Sequence, residues 1–526
     1  MRSVSKRALL SAFLGLQLAA ASPLLPRNGT CQKTSVVVLG AGMAGITAAQ
    51  ALSNASMTDF LIVDVNSYVG GRVAHTTFGK DPYGNPYTVE LGANWVQGLG
   101  TPGGPENPIW TLAKKYNLTN TYSDYSSILT YNENGALNYS YLLDDFENAY
   151  SLVEEDAGMI LSQDYQDHSF RTGLSLADWK PKKNMLQQAA EWWEFDWEYS
   201  YSPDLSSETW AIVNYNTTFY QFSDANNYVF DSRGFNTIIQ GEASTFLKPN
   251  DTRLMLNTNV TAIDYSAKDS VTVTMSDGSC ITATYAICTF SLGVLQNDVV
   301  EFTPAFPYWK QEGIEGMQMG TYTKIFLQFP PDQQFWDADT QFFLYADPIE
   351  RGWYPVWQSL SGPGFLPGSG ILFVTVVYSQ SYRAEAQSDE VTKAEVMEVL
   401  RKMFGDDIPD PIDFMYPRWS TEPWAYGSYS NWPTGLSIET HQNLRANLGH
   451  LYFAGEATSA EYYGFLQGAY YEGQYVGTKL AECIKGNNTA CKDEASYDVI
   501  RGCTTSSKNL SPENGWDVTS FQTWGF

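Results

Sequence analysis

Histidine is nearly missing from this chain of 526 residues, which has four, His75, His168, His441 and His450. So scattered, and without a Cys-x-x-Cys motif, they give no metal-ligand spacing, and they weaken any hydrolase reading that needs a histidine base; no metal site is expected. Positive charge is also short: 31 Lys and Arg against 58 Asp and Glu leave a formal net charge of −27. Such a surface repels nucleic acid, which is excluded as a partner, and attracts cations without proving a cationic substrate. Apolar runs long enough to span a bilayer are absent, so no transmembrane anchor is expected. Cysteines number six, at 31, 280, 288, 483, 491 and 503.

What is present begins with a leader. Arg2, Lys6 and Arg7 precede the apolar run Ala8 to Leu18, and Ala19-Ala20-Ala21 offers small residues for cleavage, the layout of a secretory signal peptide over 1–21. Sequons at Asn28, Asn54, Asn117, Asn138, Asn216, Asn250, Asn259, Asn487 and Asn509 fit a glycosylating route. The chain is expected to be a secreted glycoprotein, soluble or associated with a cell wall. In that oxidising setting disulfides are expected, with Cys483–Cys491 as the preferred pair. The length exceeds what one compact core holds, so two domains are expected.

The chemistry starts at Val36-Val37-Val38-Leu39-Gly40-Ala41-Gly42-Met43-Ala44-Gly45. Four apolar residues predict a strand buried on both faces, and Gly40, Gly42 and Gly45 give the G-x-G-x-x-G spacing of a Rossmann-like turn into a helix. Gly40 permits the bend, Gly42 lets backbone approach a pyrophosphate, and Gly45 lets the helix from Ile46 to Leu52 pack on the strand. A second strand, Phe60 to Val63, ends in Asp64, where an acid binds ribose hydroxyls. Gly70-Gly71-Arg72 adds a second glycine pair with a cation. The spacing alone admits NAD or FAD.

From Val36 to Arg72, and again at Val89-Glu90-Leu91-Gly92-Ala93-Asn94-Trp95, the chain resembles the flavin-dependent amine oxidases, most closely the secreted plant-type polyamine oxidases. The resemblance covers about 34 to 491 and implies FAD. Monoamine oxidases attach flavin through a cysteine near the position of Ser428; none is available there, so non-covalent FAD is expected. The implied architecture is α/β: a discontinuous FAD-binding domain over 34–125, 228–310 and 419–490, an inserted α+β substrate domain over 126–227 and 311–418, and a tail, 491–526, expected to be loosely held. Pattern alone reads long helices at Tyr141 to Leu161 and Asn184 to Tyr199. It reads a three-strand meander at 259–263, 271–275 and 281–288, strands at 322–329 and 370–378, and a helix from Ser388, with that hydroxyl capping, to Met403.

Oxidising an amine with a flavin requires a neutral amine, an electron acceptor and a pocket that excludes water. Lys324, on the apolar strand Tyr322 to Phe329, is costly to bury unless paired. The resemblance implies that it holds a water at the flavin and that Glu90 faces the substrate amine; both are the expected catalytic residues. Tyr429 and Phe465 are implied to flank the substrate, in reverse order to the usual Phe then Tyr, with Tyr322 lining the pocket and Glu198 as a second acid. Gln97 stands where the plant-type enzyme has an acid. Trp95, Trp419, Val260, Gly455 and Glu456 are implied to contact FAD together with Gly40, Gly42, Gly45, Asp64 and Arg72.

The expected activity is polyamine oxidation, on spermine or spermidine, with oxygen giving hydrogen peroxide and an aldehyde. Alternatives are an L-amino-acid or other primary-amine oxidase, or a catalytically silent flavin-binding glycoprotein. A monomer is favoured.

Overall fold

The computed structural model describes residues 30–163, 165–487 and 489–499; the proposed leader, the sequons at Asn28 and Asn509, Cys503 and the end of the tail lie outside the described residues. The apolar run predicted as a strand forms β1, Gln32–Leu39, and Val36 to Leu39 are fully buried. Each such side chain contributes about 1.5–3 kcal/mol on burial. Helix α1, Met43–Asn54, comes directly after the glycine turn, and β2, Phe60–Val63, lies parallel to β1 with Val36 beside Phe60.

Two sheets organise the chain. The first runs Leu254–Met255, β2, β1, Cys280–Cys288, Val271–Met275, Val260–Asp264, Glu301–Thr303, with Leu451–Phe453 also paired to Cys280–Cys288. Its centre is parallel, and the antiparallel meander joins on one side. The second runs Asp413–Met415, Tyr322–Gln328, Ile371–Val377, Val356–Ser359, Phe342–Ala346, Ile128–Asn132, Gly135–Ala136. Ile371–Val377, apolar except for Thr375, is buried throughout, as expected of a central strand.

The first sheet's core is closed by a helix pair the glycine motif does not announce. Leu466–Ile484 crosses α1 so tightly that a Cβ on Gly473 would stand 2.1 Å from the Ala44 carbonyl oxygen, and one on Gly477 2.3 Å from that of Ala48. Backbone meets backbone there, which fixes the two helix N-termini relative to each other.

Several local expectations need correction. The stretch read as one helix from Asn184 is broken: Met185–Glu191 is α-helical, Trp192–Asp196 is a π-helical turn, and Trp197–Tyr199 resumes. A π-turn admits an extra residue and re-aims the side chains beyond it, here Trp197 and Glu198. Ser388 precedes the Asp389–Phe404 helix but its hydroxyl makes no capping bond. The start of the tail is held, because Glu494 accepts from Lys479 (2.5 Å) and Tyr475 (2.9 Å), and Tyr497 exchanges bonds with Asn443. Cys483–Cys491 is bridged as expected, and Cys31–Cys280 is joined as well. Of the seven described sequon asparagines, Asn216 is buried; the other six are exposed.

Candidate active site

A cavity of about 430 Å³ opens where the carboxyl ends of β1 and β2 approach the start of the Tyr322–Gln328 strand. At the β1 end Gly40 takes φ +114°, a conformation open to glycine. A Cβ on Gly45 would stand 1.9 Å from the Gly40 carbonyl oxygen, so Gly45 sits beneath the turn rather than on the cavity wall. Gly42, which does line it, has no protein atom nearer than 4.0 Å to such a Cβ, and Gly455 has none within 4 Å. Helix α1 starts without a side-chain cap or an acid in its first turn, and the Leu466–Ile484 helix also lacks a side-chain cap. Two uncapped N-termini and two open glycines around one cavity fit an anionic dinucleotide.

Asp64 borders the same space, but its oxygens accept from Ala41 N (2.6 Å) and Asn66 N (2.7 Å), so its carboxylate ties the glycine turn to β2. Burial raises its pKa against those two bonds. Arg72 donates to Ser428 O (3.0 Å) and pairs with Glu456 (2.8 Å). The other Glu456 oxygen accepts from Ser430 Oγ (2.5 Å) and Gly464 N (2.9 Å). The pair therefore draws together the second glycine turn and the segment before the last helix. Val260, Trp95 and Trp419 also line the cavity, with Trp95 Nε1 donating to Ser123 (3.2 Å) and Trp419 Nε1 to Leu91 O (3.3 Å).

The far end is aromatic. Tyr322, Tyr429, Phe465 and Glu198 line it together, as do Tyr125 and Trp197, which no sequence signal marked. The rings of Tyr322 and Tyr429 lie 6.0 Å apart, and the Tyr429 hydroxyl donates to the Glu198 carbonyl at 2.8 Å. The Glu198 carboxylate accepts from the Gln97 amide at 3.0 Å through both oxygens. Burial pushes its pKa up to about 7, with the Gln97 bond opposing.

Thirteen of the sixteen expected site residues thus share one cavity; Gly45, Lys324 and Glu90 stand behind its wall. Lys324 Nζ donates to Gly92 O (2.7 Å) and to Asn94 Oδ1, and lies 5.7 Å from the Trp95 ring centre. All three of those residues border the cavity. Burial lowers the Lys324 pKa, and the nearby Glu90 carboxylate opposes that. Glu90 is not where the resemblance put it. One oxygen accepts from Phe235 N (2.7 Å), the other is buried without a partner, and the side chain faces Lys324 from beneath instead of the cavity. The wall is built from Leu91 onward, where the chain has left the strand Tyr87–Glu90, and Glu90, the last residue of that strand, is held inward by the Phe235 N–H. Asn94, within the Glu90-Leu91-Gly92-Ala93-Asn94-Trp95 motif, is the acceptor that fixes Lys324, a role no sequence signal marks.

Among the described residues Cys288 alone is outside a disulfide, and it is buried away from the cavity, so none of them offers a thiol to the cofactor.

The family model for flavin containing amine oxidoreductases matches residues 43–478. Polyamine oxidase 1 of Zea mays is 36% identical over 510 residues, covering 93% of this chain and 98% of its own. Polyamine oxidase 7 of Oryza sativa subsp. japonica is 35% identical over 490 residues, covering 90% and 100%. Putrescine oxidase bound to putrescine superposes with a TM-score of 0.64 at 16% identity, over 85% of this chain and 99% of that one. With the glycine turn, the open helix ends and the shared cavity already in view, the chain belongs to the flavin containing amine oxidoreductases and is an FAD-dependent amine oxidase.

Proposed function

We propose that the protein is a secreted polyamine oxidase that binds FAD without a covalent bond. The observation that carries the substrate reading is the carboxylate of Glu198 set among aromatic walls, in a cavity whose one cationic side chain among the described residues, Arg72, is already paired to Glu456. An amino-acid substrate wants an arginine fork for its carboxylate, and Arg72 is committed elsewhere. A cationic amine wants an acid and ring faces, which Glu198, Tyr322, Tyr429 and Phe465 offer.

The α1 N-terminus, Gly42 and Gly455 would hold the dinucleotide, with Asp64 and Arg72–Glu456 keeping those turns in place. Bound there, FAD supplies a two-electron acceptor for the carbon beside the amine, and oxygen takes the electrons on as hydrogen peroxide while the imine hydrolyses to an aldehyde. Glu198 holds the cationic end of the substrate. Lys324, with two of its three donors used on Gly92 O and Asn94 Oδ1, keeps one for a water, and its lowered pKa lets Nζ give up or regain a proton. Glu90 faces Lys324 and touches no substrate; burial raises its own pKa while lowering that of Nζ, so the two hold a proton between them. Export is supported by the leader pattern, the two disulfides and the six exposed sequons.

The test offers purified protein spermine, spermidine, a monoamine and leucine, with peroxide readout and product masses. Polyamine turnover is expected; turnover of leucine alone overturns the reading.

A further inference from the structure

Away from the cavity, the fold assembles a cluster that sequence spacing hides. Asp156 lies late in the Tyr141–Ser162 helix, His168 just beyond that helix, and Glu208 opens the Glu208–Phe219 helix. His168 Nδ1 stands 2.9 Å from Glu208 Oε2, and Nε2 stands 3.4 Å from Asp156 Oδ2. One ligand atom from each residue falls within 4.8 Å of the others. Glu208 is fully buried, and its Oε1 accepts no hydrogen bond; neither does Asp156 Oδ2.

We propose that Asp156, His168 and Glu208 bind a divalent transition-metal ion of the zinc class, which clips the helical layer beside the cavity. Charge is the first argument. Two carboxylates and a neutral imidazole sum to −2, which a divalent ion cancels. A protonated imidazole leaves a net negative charge around a fully buried carboxylate, and no lysine or arginine bonds to either acid among the described residues. Ligand distances are the second. Zinc binds imidazole nitrogen and carboxylate oxygen at about 2.0–2.2 Å, which sets tetrahedral ligand atoms about 3.3–3.6 Å apart. His168 meets Glu208 through Nδ1 and Asp156 through Nε2, so whichever nitrogen binds the ion the carboxylate on the other side has to swing across, and the widest ligand separation has to close by about 1 Å. The mixed nitrogen and oxygen set suits zinc, manganese or cobalt, where calcium and magnesium prefer oxygen alone.

The site is built as well as charged. Glu208 N donates to the His168 carbonyl at 2.9 Å, Thr209 N donates to Asp167 Oδ1 at 3.1 Å, and Phe170 N donates to Ser206 O at 3.0 Å, so the His168 segment is latched to the start of the helix. Gly173 makes room, because a Cβ there would sit 2.1 Å from Glu208 Oε2. The Asp156 and His168 side chains are 28% and 29% exposed, which leaves an entry path and a place for a water as fourth ligand. The ion's role is structural: the helix that Glu208 opens also carries Asn214 on the cavity wall.

The test strips the full-length, FAD-loaded protein with chelator and titrates it with Co²⁺ and Zn²⁺. We expect one equivalent of Co²⁺ with visible d–d bands, displacement by Zn²⁺, and a rise in Tm on Zn²⁺ addition that Ca²⁺ and Mg²⁺ do not give. Asp156→Asn and His168→Gln should each abolish the bands and the Tm response, while flavin absorbance and peroxide production report that they fold. If His168→Gln fails to fold, Asp156→Asn, at a partly exposed position, decides. Absence of stoichiometric Co²⁺ binding to the stripped wild type overturns the proposal and leaves an imidazolium clamped by two acids. Binding that persists unchanged in Asp156→Asn overturns it equally.

Discussion

Replacing Glu198 by glutamine separates a cation-binding acid from a merely buried one. The side chain keeps its shape and can still accept from Gln97, but loses the charge that an ammonium would meet. A hydrogen bond to a charged group is worth about 1.5–3 kcal/mol, so kcat/KM for spermidine should fall about 10- to 150-fold, mostly through KM. The pH profile is more diagnostic than the size of the loss. In the wild type the carboxyl is held to about 7 by burial, so below that pH it is protonated and cannot attract a cation, and kcat/KM should decline as pH falls through 7. In Glu198→Gln that acid limb should vanish. Stability gives an independent sign. A carboxyl whose folded pKa is raised above its unfolded value of 4.5 favours the protonated native state, and its ionisation costs stability that grows as pH rises from about 4.5 to about 7. The glutamine variant should therefore match the wild type in Tm near pH 4 and exceed it at pH 8. Peroxide-coupled initial rates from about pH 5 to about pH 9 and thermal melts at both ends provide the readouts. An unchanged KM together with a retained acid limb would refute the assignment of Glu198 to the substrate's cation.

Four further outcomes are expected. Lys324→Met should slow anaerobic flavin bleaching or its reoxidation by about 10²-fold or more while flavin stays bound, since Nζ touches the wall and not the dinucleotide seat; unchanged stopped-flow traces would remove its proton role. Gly42→Ala meets no protein atom closer than 4.0 Å, so the stripped protein should keep its Tm while flavin content after purification drops; normal flavin loading would count against a close diphosphate. Gly477→Ala should lower stability by about 1–3 kcal/mol, because the new methyl collides with the Ala48 backbone of α1 at 2.3 Å, as a denaturant melt would record. Glycopeptide mapping of secreted protein should find Asn216 bare, since it is 4% exposed in the folded chain.

The residues that sequence located best are those whose role is local. The Gly40/Gly42/Gly45 spacing, the apolar β1 and β2, and the acid at Asp64 all act within one βαβ unit, and the structure bends, packs and bonds them within that unit. Glu90 went astray for the opposite reason. Its carboxylate is taken up by the Phe235 N–H and faces Lys324, partners that no motif match along the chain could place. The Asn184 to Tyr199 stretch shows the same limit, because a π-turn depends on what the helix packs against more than on its own periodicity.

By itself the sequence determined the chemistry's seat and class: a dinucleotide turn, a lysine on an apolar strand, and aromatic residues and acids fit for an amine. Only the tertiary structure decided which of these meet. Gln97 and Glu198 are about a hundred residues apart yet share hydrogen bonds. Lys324 finds its acceptors at Gly92 and Asn94. His168, one of four scattered histidines, acquires two carboxylates. The physical reason is that turn geometry and strand burial are set by neighbours in the chain, whereas charge pairing, desolvation and cavity walls arise from elements that come together after each has formed.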